Sequence, residues 1–287
     1  MTITEIRSTP ESLWIDLTRK CQLECIHCYN DSGPTGDHGI MSRDDWIDVL
    51  DQAVTTGVHH VQFIGGEPTL HPDALDIAAH ALDRGLSVEV YSNLVHITNA
   101  WWSFFQRDRA SLATSYYSHD PARHDALTKR PSHQHTRRNI IKALKLGIPL
   151  RVGIITTDGH DLEATKRELE ALGVKRIGVD HVRPFGRGSE GAAPDVSGLC
   201  GRCGDGRASI APDGTVSPCV FSTWMEVGNV RETALKSILS APTMRDARAL
   251  IRAEKKDDNP PTPPVPCRPD DDGCRPGIPP SWCGPRR

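Results

Sequence analysis

Three cysteines within eight residues define the chemistry open to this 287-residue chain. The stretch reads Cys21-Gln-Leu-Glu-Cys25-Ile-His-Cys28, with gaps of three and two residues. Thiolates this close together can surround one metal centre. A mononuclear structural zinc site wants a fourth ligand nearby. No cysteine follows until Cys200, and His27 and His38 do not complete a finger spacing. Three ligands without a local fourth suit an iron–sulfur cluster with one iron left open, since thiolates are the usual holders of such clusters. A zinc site or a disulfide framework is the alternative that this motif alone leaves open. Six further cysteines form two later groups, Cys200, Cys203, Cys219 and Cys267, Cys274, Cys283.

Composition narrows the class. An apolar fraction of 37% and a charged fraction of 25% are those of a globular protein. The net charge of −3 gives no sign of general nucleic-acid affinity. No run of apolar residues is long enough to span a membrane, and the N-terminus lacks the basic-then-apolar pattern of a signal peptide. The expectation is a cytoplasmic protein with neither nucleic-acid nor membrane partners, in which nine cysteines point to metal or redox chemistry rather than disulfides.

The elements that must position the cysteines alternate. Leu13 to Thr18 is a strand that delivers the chain into the cysteine loop. Ser42, with Asp44 and Asp45 behind it, caps a helix carrying Trp46, Ile47, Leu50 and Val54, which Gly57 ends. His60 to Ile64 is a strand, followed by Gly65-Gly66-Glu67-Pro68. Two glycines after a strand allow positive φ and close backbone approach to a ligand, and a carboxylate there can accept from an ammonium group. Helix and strand then alternate: a helix over 72–82, a strand over 86–91 ending in Ser92-Asn93, and a Thr98-capped helix with Trp101, Phe104 and Phe105. A strand over 112–116, a helix over 134–146, a strand over 150–155, a helix over 161–172 and a strand over 176–182 complete the series. Six strand–helix repeats of roughly 30 residues predict an α/β fold with a parallel sheet, its functional loops at the strand C-termini. Residues 119–137 interleave His119, His124, His133 and His135 with Arg123, Lys129, Arg130 and Arg137, and read as a solvated loop and helix start rather than a metal site.

After residue 186 the texture changes. Residues 187–198 are small and polar and read as a linker. Asp213-Gly214 between alternating segments predicts a hairpin that returns Cys219 towards Cys200 and Cys203. Helical stretches over 233–239 and 243–254 precede a proline-rich tail that, lacking apolar residues, is expected to be ordered by metal if it is ordered at all.

Cys-x3-Cys-x2-Cys followed by Tyr29, with Gly65-Gly66-Glu67-Pro68 one βα unit later, resembles the motifs of the radical S-adenosylmethionine (SAM) enzymes. The resemblance implies a partial (β/α)6 barrel over 1–186, a SAM-binding [4Fe–4S] cluster on Cys21, Cys25 and Cys28, and SAM as cofactor. It places the methionyl amine of SAM on the glycine motif and other parts of SAM near Asn93, Ser115 and Arg183, which end or follow predicted strands. Residues 187–287 resemble the SPASM/Twitch extension, a small cysteine-rich C-terminal domain. Its six cysteines (Cys200, Cys203, Cys219, Cys267, Cys274, Cys283) imply at least one auxiliary [4Fe–4S] cluster, though their number and terminal spacing depart from the seven-cysteine SPASM pattern.

By this resemblance the chain is an enzyme that generates a 5′-deoxyadenosyl radical and abstracts hydrogen from a substrate. The expected substrate is a ribosomally made precursor peptide that is crosslinked, epimerised or oxidised; a small molecule such as a sugar or aminoglycoside is the alternative, and a non-enzymatic metal scaffold a remote one. An external electron donor such as flavodoxin or ferredoxin is implied. With no evident leader-binding domain before Trp14, a separate leader-peptide recognition protein is a further expectation. The sequence singles out no catalytic acid or base.

Overall fold

The computed structural model describes residues 11–156 and 161–254. Cys267, Cys274 and Cys283, and with them the proposed terminal ligands, lie outside the described residues. Six parallel strands form the frame: β1 (Ser12–Asp16), β2 (His60–Ile64), β3 (Ser87–Tyr91), β4 (Ala110–Tyr116), β5 (Leu150–Thr156) and β6 (Arg176–His181). Each pairs with its sequence neighbour, so the order never reverses. Successive crossovers of one hand then bend the sheet towards a barrel instead of winding it both ways. The sheet stays open: β6 ends one edge. The expected partial barrel is present.

The helices between the strands are α1 (Arg43–Thr55), α2 (Ala74–Asp83), α3 (Asn99–Phe105), α4 (Pro121–Thr128), α5 (His133–Lys145) and α6 (Leu162–Ala171). Local rules account for their starts. Ser42 accepts the Asp45 N–H while the Asp45 carboxylate accepts the Ser42 N–H at 2.8 Å, a complete capping box. Thr98 accepts the Trp101 N–H. One face of the sheet (Leu13, Ile15, Val61, Phe63, Val88, Val90) joins Trp46, Leu50, Ile77, Trp101 and Phe105 in the main core. The opposite face points into the barrel and is polar in its lower layer. There the Trp14 indole donates to Gln62 at 2.9 Å, Gln62 donates to Glu89, and Arg151 donates to Glu89 at 2.9 Å. This buried pair is fully hydrogen-bonded, the condition under which a charge is tolerated inside.

Beyond the first six strands the chain does something the sequence did not disclose. Strand β7 (Arg207–Ile210) pairs in parallel with β1, and β8 (Thr215–Ser217) and β9 (Gly228–Asn229) follow antiparallel, so the hairpin around Asp213-Gly214 extends the barrel sheet on its other side. Helices α7 (Leu235–Ser240) and α8 (Pro242–Glu254) close the described chain. Among the described residues no helix is long and apolar enough to cross a membrane.

Two expectations need correcting. Residues 187–198 are not a bare linker: 3-10 turns form at Gly186–Ser189 and Val196–Gly198, and Arg187 is tied to the cysteine loop, as described below. Residues 119–137 are not a solvated loop either. Pro121, pre-set for a first helical turn behind the Asp120 cap, starts α4, and His124 and His133 are buried against Tyr116. Their rings lie 5.2 Å apart, and the Tyr116 hydroxyl is 2.7 Å from His133 Nε2. Histidine is polar on any periodicity count yet packs as an aromatic ring, and this hid the cluster.

Burial, and then the neighbouring His133 and His27, hold His124 down at about 4, with Asp125 and a backbone hydrogen bond to Ser118 pulling the other way. The folded state thus resists a proton that the unfolded chain accepts below its ordinary 6.5. The sign is fixed: stability is undiminished above about pH 6.5 and is lost as pH falls from there towards 4, by up to about 3 kcal/mol. His124→Gln is expected to flatten that loss. Urea midpoints at pH 7 and pH 5 test it: the wild type falls further than the variant, and parallel falls would contradict the assignment.

Candidate functional site

The site forms where β1 ends. From Leu17 the chain leaves the sheet in a loop whose turns are fixed by backbone bonds. Arg19 N–H donates to Asp37 O at 2.9 Å, Cys21 N–H to Gly33 O at 3.0 Å and Cys28 N–H to Cys25 O at 3.3 Å. Two outside supports hold the cysteine segment. Glu24 and Ile26 N–H groups donate to Thr128 O and Leu127 O at the end of α4. Arg187 reaches from the other side, its Nε donating to Cys25 O at 2.8 Å and its Nη2 to Ser32 O at 2.7 Å, while its backbone N–H donates to Cys28 O.

Cys21, Cys25 and Cys28 line one cavity of about 970 Å³, counting its open mouth. Gly65, Gly66, Asn93, Ser115 and Arg183 line the same cavity, so five of the sequence-predicted cofactor residues meet the three thiols. Glu67 and Pro68 do not line it. The Glu67 carboxylate is fully buried and accepts the Asn93 N–H at 2.8 Å and the Thr69 hydroxyl at 2.6 Å. Burial raises its pKa, and bonds from Thr69, Asn93 and Ser92 offset part of that rise. Its job in this geometry is to brace the end of β3 rather than to meet an ammonium group. The brace matters because Asn93 Nδ2 lies 3.6 Å from Cys21 Sγ and pairs with Gln22 through two amide bonds.

The glycines are required here by backbone contact. Gly65 sits at φ +136°, and a Cβ on it would lie 2.5 Å from Thr18 O; a Cβ on Gly66 would lie 2.3 Å from Lys20 O. Gly66 N–H donates to Thr18 O at 2.7 Å. The turn after β2 therefore packs directly on the segment entering the cysteine loop, and the loop's position depends on it.

Further lining residues carried no usable sequence signal. Tyr117 follows β4 and packs its ring on His27 at 4.8 Å, and its hydroxyl tempers the rise of the Cys25 thiol. The Tyr91 hydroxyl lies 3.0 Å from that of Ser115. Arg183 pairs with buried Asp180 at 2.9 Å and lies over the Phe221 ring. Position after a strand was the one clue for Tyr117; Arg187 and Phe221 reach the cavity from residues remote in sequence.

The thiols test whether an iron–sulfur group belongs here. Burial pushes all three up, Cys25 to about 12, with Cys28 adding to the rise at Cys25 and Glu67 to that at Cys21. Three buried thiolates without a cation would be costly, whereas bound iron supplies the charge that lets them ionise. An open cavity beside three such thiols, with an amide already directed at one sulfur, fits a cluster and a further ligand.

A second thiol group lies beyond the barrel. Cys203 lies beside Cys200 and Cys219, and these neighbours drive its thiol up while drawing that of Cys200 down. The hairpin thus does return Cys219 to Cys200 and Cys203. Gly204 N–H donates to Pro218 O at 2.9 Å and clamps the two strands of chain that carry Cys203 and Cys219. Against Gly204 lies Arg248, buried, whose Nε and Nη2 have no hydrogen-bond partner among the described residues. Burial disfavours its charge, which the nearby Asp205 supports. The two thiol groups are joined by Tyr29, whose ring stands edge-on to Phe221 at 5.0 Å.

Comparison with known proteins agrees with this geometry. A family model described as the radical SAM superfamily matches residues 15–180, and one described as SPASM, an iron–sulfur cluster-binding domain, matches residues 200–269. The PqqA peptide cyclase of Streptomyces rochei is 28% identical over 183 residues, 62% of this chain and 50% of that protein. That of Rhodopseudomonas palustris is 34% identical over 118 residues, 41% of this chain and 29% of that protein. The chain spans about half the length, or less, of these curated relatives. Among solved structures, Streptococcus suis SuiB bound to precursor peptide SuiA superposes with TM-score 0.72 at 17% identity, covering 86% of this chain and 68% of that one. AnSMEcpe with AdoMet and the Cp18Cys peptide gives 0.66 at 14%, covering 85% and 83%. At these identities the structural likeness is one of fold.

Proposed function

This chain belongs to the radical SAM superfamily, and from that premise we propose that it cleaves SAM reductively to act on a ribosomally made precursor peptide. The observation that carries the proposal is the single cavity on which Cys21, Cys25, Cys28, Gly65 and Gly66 converge. The radical SAM and SPASM matches imply a [4Fe–4S] cluster, auxiliary iron–sulfur binding and SAM as cofactors. When bound, these supply a 5′-deoxyadenosyl radical made by one-electron reduction of SAM.

The chain's own residues hold and orient. Cys21, Cys25 and Cys28 would ligate the cluster, Arg187 fixes the loop that carries them, and Asn93 donates to the Cys21 sulfur. Gly65 and Gly66 would face the amino-acid end of SAM. Asn93, Ser115 and Arg183 line the same cavity and would meet other parts of SAM. Tyr91, Tyr117 and Phe221 line the cavity with aromatic rings, which limit water there. Residues 1–186 form the barrel unit in this reading and 187–287 the auxiliary unit, with Cys200, Cys203 and Cys219 as ligands and Cys267, Cys274 and Cys283 supplying the remainder. An external one-electron donor completes the system.

A peptide substrate is supported by relatives named for cyclising the peptide PqqA, and by a fold neighbour solved with its precursor peptide. The test is incubation of iron-loaded protein with SAM, a reductant and peptides encoded beside its gene. A peptide product that has lost hydrogens, or gained solvent deuterium at an α-carbon, is expected. Deoxyadenosine formation with every peptide returned unchanged would overturn the substrate assignment.

The auxiliary site carries its own prediction. Cys219→Ala is expected to leave SAM cleavage in place while lowering iron by up to about four per chain, the content of one cluster, and suppressing product. Iron content equal to that of the wild type would remove Cys219 from the ligand set.

A further inference from the structure

Three arginines lie near the cysteine loop, and two of them are neutralised. Arg19 pairs with Asp16 at 2.6 Å and Arg183 with Asp180 at 2.9 Å. Arg187 lines the cavity, and among the described residues its side chain is bonded to backbone carbonyls alone. Nε donates to Cys25 O at 2.8 Å and Nη2 to Ser32 O at 2.7 Å. The segment that carries it is built to lie on the loop. Phe185 is buried in the apolar cluster that holds Leu199, Cys203 and Cys219. Gly186 follows at φ +53°, and a Cβ on it would lie 2.4 Å from Cys28 O. The Arg187 N–H then donates to Cys28 O at 2.9 Å. Backbone thus packs on backbone, and the guanidinium is left to bridge two carbonyls of the loop. Its charge is felt at the sulfurs. Burial pushes the Cys25 and Cys28 thiols up, and Arg187 is among the smaller influences that pull both down. Asp31 acts in the opposite sense on Cys28.

We infer that Arg187 sets the reduction potential of the centre held by Cys21, Cys25 and Cys28, by fixing one positive charge without a carboxylate partner against the loop that carries them. The inference rests on the reading that these thiolates hold a reducible cluster. In that reading the external donor gives up one electron, the centre gains it, and no bond is made or broken. The reduced form carries one more negative charge than the oxidised form. A fixed cation nearby therefore stabilises the reduced form more and raises the potential. The salt-bridged Arg19 and Arg183 have their charges largely cancelled and contribute less. The two carbonyl bonds hold the Arg187 charge in place, so Arg187 is a positioning residue for the loop and a source of charge for the centre.

The test is a redox titration of the full-length, iron-loaded protein, following the electron spin resonance signal that SAM alters and that Cys25→Ala lacks. Arg187→Gln removes the charge. It is expected to lower the reduced fraction at a fixed potential about tenfold or more, a midpoint shift of about 59 mV or more for one electron. Arg187→Lys keeps the charge and gives up the fork, and is expected to stay within about twofold of the wild type. Asp31→Asn removes an opposing charge where φ is +57°, a conformation Asn tolerates. It is expected to raise the reduced fraction about threefold, less than the Gln variant lowers it because Asp31 is exposed and screened. An Arg187→Gln midpoint equal to that of the wild type would overturn the inference, and unchanged potential with weaker SAM binding would mark Arg187 as a SAM contact instead. A Lys variant shifted as far as the Gln variant would also overturn it, since geometry alone would then account for the shift. Should the Gln variant load no iron, the other two decide, and an unmoved Asn variant overturns the inference. A wild type with no signal altered by SAM would instead count against the radical SAM reading, so the two failures are separable.

Discussion

Cys25→Ala is expected to abolish deoxyadenosine formation, to below about a thousandth of the wild-type rate. Cys25 is the central member of the loop: its carbonyl receives both Arg187 Nε and the Cys28 N–H. Two remaining thiolates cannot hold a cluster with one defined open iron, and a loss of about 4 kcal/mol in transition-state stabilisation corresponds to a thousandfold in rate. The loop should still fold in the variant, since its backbone bonds to Thr128, Leu127 and Gly33 do not involve the side chain. The check is iron content alongside deoxyadenosine: the auxiliary iron should remain while cleavage vanishes. Cleavage at the wild-type rate would remove Cys25 from the site.

Gly65→Ala is expected to lower SAM cleavage by about a hundredfold or more. The added methyl would lie 2.5 Å from Thr18 O and 3.0 Å from Asp16 Oδ1, at φ +136°. Thr18 O is backbone, and the buried Asp16 carboxylate is held by Arg19 at 2.6 Å, so neither can swing aside. An unfavourable φ costs about 1–3 kcal/mol and overpacking about 1–3 kcal/mol more. Relief comes only by moving the turn after β2 away from Thr18–Lys20, and this displaces both the cysteine loop and the edge proposed to receive SAM. The variant should therefore show weaker SAM binding at unchanged auxiliary iron, read by titrating SAM against the spectrum of the reduced cluster. Unaltered SAM affinity would mean that the turn does not shape the site.

What could be read from the sequence was what is local. The Ser42 cap, the glycine turn after β2, the cysteine spacing and the Asp213-Gly214 hairpin each depend on a few consecutive residues, and each is where it was expected. Contacts between distant residues were not legible. Nothing in a Gly-rich stretch around Arg187 announces a guanidinium that holds a carbonyl 162 residues earlier. Parallel pairing of β7 with β1 joins Ser12 to Arg207 and has no turn to betray it. The histidines of α4 and α5 were misjudged for a different reason: side-chain polarity is a poor guide where rings pack on Tyr116. Glu67 shows the same limit inside a motif. Its carboxylate accepts from Asn93 and Thr69 and braces the end of β3, contacts that the motif itself does not announce.

The most direct test of the central claim is made without oxygen. The protein is reconstituted with iron and sulfide, reduced with dithionite and mixed with SAM, and deoxyadenosine, iron per chain and the spectrum of the reduced cluster are read together. The predicted result is deoxyadenosine with about eight irons per chain for one auxiliary cluster, or about twelve for two, and a cluster spectrum that changes when SAM is added. A fully loaded, reduced protein that forms no deoxyadenosine and whose spectrum ignores SAM would contradict the account.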